Sequence, residues 1–445
     1  MKGNAHLISV LGITVATVTP SATTAQTVGD TVQERIAWLR DHVVPLRSVD
    51  PADTDFSDLR PIANALQDAR VVLLGEQTHA DGATFATKAR LIEFLHRDAG
   101  FDVLAFETNQ EAARLLDAEL SGDLPISAVS GLALLWSENA SVRALLTYAR
   151  DTRARDRPLH TAGFDIQLNT PGGQRIRALY RRVLRDRLTL APLLQSSDGV
   201  ERVDSILGAL FETDLTDVRH TDYEFMLDAV ARLRARAAAV TAGDTAIAAA
   251  RLVRFLDNLT WGLKFADQSA HGPSRPWTVV RDAAMGENLV WLADREFPGR
   301  RIVAWGHWGH FAKNLEAIEV LDGSASYVGE RPMGQHVADA LGAEAYSVGF
   351  LAFGGEYGTI LPDTAFIVTV PEPPVGSLDW LLGQLGEPYL FLDLRSVPQG
   401  HWLRQELVAR PGYLNMRAVW PIVFDGIIFI HEMFPNDRRP AGREE

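Results

Sequence analysis

Short apolar runs bounded by turn residues recur along the chain: VVLLG at 71–75, DVLAFE at 102–107, LHTAGFD at 159–165 and RIVAWG at 301–306. Further on come AYSVGFLAFGG at 345–355, YLFLDL at 389–394 and GIIFIHE at 426–432. These runs have strand length, and their near-continuous hydrophobicity is that of strands covered on both faces. Segments with apolar positions at helical spacing lie between the early runs, among them Ala83–Arg97 (ATFATKARLIEFLHR) and Ala140–Arg153. Buried strands alternating with amphipathic helices predict an α/β fold, a mostly parallel sheet flanked by helices. Between Asp165 and Arg301 the rhythm changes. RIRALYRRVLRDRLTLAPLL, VDSILGALFE, DYEFMLDAVARLRARAAAV and AIAAARLVRFLDNLTWGLKFAD are all helical in period, separated by breaks such as QSSDGV and TAGD. That stretch predicts an all-helical subdomain at 166–299, inserted into an α/β core made of residues 30–165 and 300–440.

Composition narrows the class. With 445 residues, 47% hydrophobic and 22% charged, the chain can bury a large core and is globular rather than disordered. A formal charge of −14 argues against nucleic acid or an anionic membrane surface as the main partner. The arginine-rich QRIRALYRRVLRDR at 174–187 reads as a solvated helix face. No cysteine is present, which removes disulfides, thiol nucleophiles and cysteine–zinc sites. At the N-terminus, Lys2, an apolar run from Leu7 to Val18 and then small residues read as a secretory signal cleaved after Ala25. The run is shorter than the ~20 residues a bilayer span needs, so an exported protein, periplasmic or secreted and without stable membrane insertion, is expected.

Chemistry gathers where the strands end. In open α/β sheets ligands bind beyond the carboxyl ends of parallel strands. The first run ends at Glu76 and His79, the second at Glu107, the third at Asp165, and the fourth enters GHWGH with His307 and His310. Singly, each has a structural reading: a glutamate complementing a helix dipole, a loop histidine bonded to a carbonyl, an aspartate capping a turn. Their coincidence at one sheet edge favours a site. G-x-S-x-G, H-E-x-x-H, the P-loop and G-x-G-x-x-G are all missing from the sequence. A histidine oriented by a carboxylate can activate water directly, while a second histidine or a cation holds an oxyanion. The same ligand types suit a metal-dependent hydrolase or protease, and a catalytically silent ligand-binding protein is a third reading.

LLGEQTHADGATFATKARLIEFLHRDAGFDVLAFE resembles the opening motif of the erythromycin esterase family, G-E-x-x-H between a strand and a helix. RIVAWGHWGHFAKN resembles its second signature, H-N-x-H after a strand, and TAGFDIQ, RDAAMGENLVWL and RPMGQHVADALGAEAYSVGFLAFGGEYG are similar to segments in between and beyond. The likeness spans roughly residues 60 to 435. It implies an α/β core with added helices, hydrolysis of macrolactones such as erythromycin, and no catalytic metal or other cofactor. By position it implies His79 as general base beside Glu76, with Glu107, His307 and His310 completing the catalytic set. The partner it implies is a small-molecule ester or macrolactone. Lys88, Trp136, Trp308 and Asp165 are taken as substrate-binding candidates, with Trp261 and Trp305 as further candidate walls of a cleft. Three positions depart from the pattern: Trp308 stands for asparagine, Ala80 for glycine and Lys88 for arginine. Lysine keeps the charge but loses the planar fork of donors.

Overall fold

In the computed structural model the apolar runs are strands of one sheet. It describes residues 31–436 apart from 130, 133, 169–177, 179–196, 213–217, 240–245, 272–276 and 359–366. The expected leader and the arginine-rich 174–187 segment therefore lie outside the described residues, save Ala178. Strands are numbered in chain order: β1 Val43–Pro45, β2 Val71–Glu76, β3 Phe101–Asn109, β4 His160–Asp165, β5 Arg301–His307, β6 Glu319–Val320, β7 Ala345–Gly358, β8 Ile367–Thr369, β9 Tyr389–Asp393, β10 Leu407–Ala409, β11 Met416–Ala418 and β12 Gly426–Met433.

The main sheet runs β1-β9-β12-β7-β2-β5-β3-β4, with β8 paired to β7. From β12 to β4 every pairing is parallel, while β9 and β1 close one side antiparallel. β2 is buried along its whole length and sits between β5 and β7, so its apolar residues face helices on both sides. The apolar runs anticipated β2, β3, β4, β5, β7, β9 and β12 to within a few residues, but not the three-residue β1 and β8. The short β6, β10 and β11, which form a separate three-stranded sheet, carry too little periodicity to be read from sequence.

The chain visits β2, passes to β3 and β4, and returns to fill β5 between β2 and β3. This order brings residues from distant parts of the sequence to one edge. Glu76 lies level with His307, and β3 slips register against β4 between Phe106 and Asn109, a bulge that re-aims Glu107. Two glycines let the edge close. A Cβ on Gly75 would stand 2.7 Å from the Trp308 Cα, and one on Gly306 would stand 2.8 Å from a Glu107 carboxylate oxygen.

Among the described residues between β4 and β5 are helices Ser197–Glu212, His220–Ala238 and Ala246–His271, which share an apolar cluster of their own around Leu207, Met226 and Leu259. The next helix, Trp277–Trp291, which the sequence groups with the insertion, instead packs Met285 and Leu289 against Val71, Val103 and Ile302 of the sheet. No helix among the described residues is long and apolar enough to cross a membrane.

Candidate active site

Glu76 is the last residue of β2 and is fully buried. The chain turns through Gln77 and Thr78 into the helix Gly82–Ala99, whose N-cap, Asp81, accepts bonds from the Thr78 amide at 2.8 Å and hydroxyl at 2.9 Å. That tight turn brings His79 back over Glu76, with Nδ1 2.8 Å from Oε1. The ionised carboxylate makes Nδ1 the donor and leaves Nε2 free to take a proton. The other Glu76 oxygen is bonded by Lys88 Nζ, two turns along the helix and also fully buried. Lys88 donates to the Gly306 carbonyl at 3.2 Å and lies over the Trp305 ring at 4.9 Å. It is therefore beneath Glu76, out of reach of a ligand. Burial pulls its pKa below the ordinary lysine value even though Glu76 opposes the shift.

Glu107 emerges from the β3 bulge. One of its oxygens accepts the His307 backbone N–H at 2.9 Å, and the other accepts Arg281 Nη2 at 2.8 Å and lies 3.4 Å from His310 Nε2. Burial would raise this carboxyl, but the charges of His310, Arg281 and His79 hold it well below the usual range, so it remains ionised.

The two histidines after β5 behave differently. His307 caps the short helix Trp308–Phe311: its Nδ1 accepts the Gly309 N–H at 3.2 Å and its Nε2 lies 3.1 Å from the Gln77 carbonyl. Both nitrogens are thus committed to backbone. Burial, reinforced by the neighbouring His79 and His310, lowers its pKa to about 3, so the ring is a neutral strut. His310 Nδ1 lies 2.6 Å from Asp282 Oδ1, and its Nε2 lies 3.0 Å from Arg281 Nη1. Burial disfavours the charged ring, but Asp282 and Glu107 outweigh it and raise the pKa above the ordinary histidine value. Neutral His310 accepts from Arg281; charged His310 donates toward Glu107.

Arg281 and Asp282, on the Trp277–Trp291 helix, were not singled out by sequence. Arg281 forms a two-pronged pair with Asp165, at 3.0 Å from Nε and 2.9 Å from Nη2, besides its contacts with Glu107 and His310. Asp165 also accepts the Ile166 amide at 2.7 Å, so it anchors Arg281 and faces away from a ligand. Four buried carboxylates (Glu76, Glu107, Asp165 and Asp282) surround two basic side chains, Lys88 and Arg281. The surplus negative charge favours protons on His79 and His310. For His79, burial opposes the charged form, but the Glu76 bond and the Glu107 charge prevail and raise its pKa.

The aromatic candidates separate in the same way. Trp136 meets the His79 ring edge-on at 5.8 Å, whereas Trp305 is fully buried against Phe85 and Phe106 and lines no cleft. Trp261 lies under Arg254 at 4.8 Å, in the helical region. Trp308 seats its backbone against Gly75 and borders a cavity of about 300 Å³, together with His307, His310, Asp282, Tyr327 and Glu330. Among the described residues the donor atoms of Glu76, His79, Glu107, His307 and His310 do not converge to metal-ligand spacing.

The erythromycin esterase profile matches residues 96–433, most of the chain. This chain belongs to the erythromycin esterase family. The family makes it a hydrolase. Among its relatives, YbfO of Bacillus subtilis is 24% identical over 434 residues, covering 90% of this chain and 91% of that one. The Escherichia coli erythromycin esterase type II is 21% identical over 416 residues, covering 89% and 97%. A crystal structure of a mutant of the erythromycin esterase EreC in its open conformation superposes with a TM-score of 0.63 at 17% identity, covering 87% of this chain and 97% of that one. At that identity the superposition speaks for the fold.

Proposed function

We propose that the protein is an exported carboxylic ester hydrolase that opens a lactone or ester, a macrolactone such as erythromycin being the first candidate, by water deprotonated at His79. The observation that carries this is the buried Lys88–Glu76–His79 chain, which fixes the imidazole tautomer with Nε2 as base. In this scheme Nε2 takes a proton from water as the oxygen attacks the carbonyl carbon. Glu76 steadies the imidazolium that forms, and Lys88 steadies Glu76. The carbonyl oxygen gains charge and is stabilised by His310, whose charged form Asp282 and Glu107 favour. The proton then passes to the departing alkoxide, giving an acid and an alcohol with the addition of one water. Glu107, His307 and Arg281 hold the frame, with the His307 ring in contact with both His79, at 5.4 Å, and His310, at 6.2 Å. Trp136 supports the His79 ring and supplies an apolar wall.

The family's known preference and the E. coli relative's name support the macrolide, while Trp308 beside the cavity argues for testing a broad set of esters. The purified protein incubated with erythromycin, larger macrolides and simple lactones is expected to add the mass of one water to at least one of them. His79→Ala is expected to lower that rate by about 10²–10⁴-fold. Intact activity in His79→Ala removes the scheme; no product from any ester removes the esterase reading.

A further inference from the structure

A second cluster of ligating side chains lies away from the sheet edge, on the helices His220–Ala238 and Ala246–His271. Asp267 and His271, one turn apart, face His220 at the start of the neighbouring helix. His220 Nδ1 lies 2.9 Å from each Asp267 oxygen, and His271 Nδ1 lies 3.0 Å from one of them. The ligating atoms of all three residues fall within 4.8 Å of one another. We infer that His220, Asp267 and His271 form a surface site for a divalent transition metal, Zn²⁺ by preference, separate from the hydrolytic centre.

Three physical observations carry the inference. Donors around tetrahedral zinc, each about 2.0–2.1 Å from the metal, stand about 3.3 Å apart. The His220–Asp267 and His271–Asp267 spacings are a few tenths of an ångström tighter and the two imidazoles lie within 4.8 Å of each other, so a cation enters by replacing the shared protons and adjusting the donors. Second, His220 already has the partner a metal-bound histidine needs. Its Nε2 is 3.6 Å from Glu224, one turn on, so a metal on Nδ1 leaves Nε2–H directed at a carboxylate. Third, the donors are set by packing that needs no metal. Tyr223, Met226, Leu259, Leu263 and Ala266 bury the seam between the two helices, and Tyr223 meets the His271 ring edge-on at 5.9 Å. A metal on Nδ1 needs the neutral imidazole, so it competes with protons and binds more weakly in acid. Two imidazoles and a carboxylate leave one tetrahedral position for water, and the bound metal clamps the start of one helix to the end of the next.

The test is Zn²⁺ titration of the chelator-stripped, tag-free protein by calorimetry, beside His79→Ala, His220→Ala, Asp267→Asn and Glu224→Gln. His79→Ala subtracts any metal taken by the hydrolytic centre. One Zn²⁺ is expected to bind wild type and His79→Ala equally. His220→Ala and Asp267→Asn are expected to weaken it by more than tenfold while keeping the wild-type hydrolytic rate, which also reports that they fold. Glu224→Gln, which removes only the orienting partner, is expected to weaken it by about 10-fold. Binding that is indifferent to His220 and Asp267, or no stoichiometric binding in wild type, overturns the inference.

Discussion

His79 works through what is done to each of its two nitrogens. Glu76 fixes one, so in the proposed mechanism the pKa that governs hydrolysis belongs to an imidazole held above its ordinary value. A base must be unprotonated to act, so kcat/KM is expected to fall as pH drops below that raised pKa, with the acid limb above 6.5. In Glu76→Gln the raising partner is gone: the limb should move to lower pH and the maximal rate should drop by about 10²–10⁴-fold. A limb that stays in place would detach Glu76 from the titration. At this scale much of the site was legible. Glu76, His79, Glu107, His307 and His310 each follow an apolar strand, where a polar residue has no packing reason to be. Arg281 and Asp282 escaped because they lie within a helix. Their signal was available, since both share the helical face of Met285 and Leu289 and so place charges on a buried stripe. Sequence also could not tell His307 from His310, because the difference lies in what meets each ring, backbone groups for His307 and the Asp282, Arg281 and Glu107 side chains for His310.

Strands and helices reach the site through close approaches that leave no room for a side chain. At Gly306 an added methyl would meet the Glu107 carboxylate and, at 2.9 Å, Phe311. Glu107 cannot swing aside without dropping the His307 amide and Arg281. Gly306→Ala is therefore expected to cost about 1–3 kcal/mol in urea unfolding and to lower kcat more than KM changes. Gly354→Ala, where nothing lies within 4 Å, should stay within about 0.5 kcal/mol. Equal effects at the two positions would refute the packing argument. Strands β2, β3, β4, β5, β7, β9 and β12 were readable from apolar runs because their centres are covered on both faces, whereas the short, part-exposed β1 and β8 were not. The bulge in β3 was not, since it arises from how β3 meets β4 and not from any residue of its own.

Across the whole molecule, contacts distant in sequence hold the edge shut, and one of them has a pH signature. Asp81 accepts a bond from Tyr413 at 2.8 Å across the fold. Burial first, and the charge of Glu76 after it, raise the Asp81 carboxyl from 3.8 to about 6 against its own hydrogen bonds. The folded state thus holds this proton more tightly than the unfolded chain. Its stabilising contribution is complete below 3.8 and fades as pH rises through about 6. Asp81→Asn should flatten the fall in unfolding free energy between about pH 4 and pH 6; an unchanged slope would assign the effect elsewhere. Partnerships such as Asp81 with Tyr413 leave no trace in local sequence, which is why the strand ends could be read and the clasp across them could not. The strand order carries a consequence for biosynthesis. β2, which ends at Glu76 and leads into the turn carrying His79, gains its neighbours β5 and β7 only from residues 301–307 and 345–358. A ribosome must therefore finish about two-thirds of the polypeptide before either edge of β2 has a mate, so the nascent chain stays inert and carries an unpaired strand in need of chaperoning until late in its synthesis.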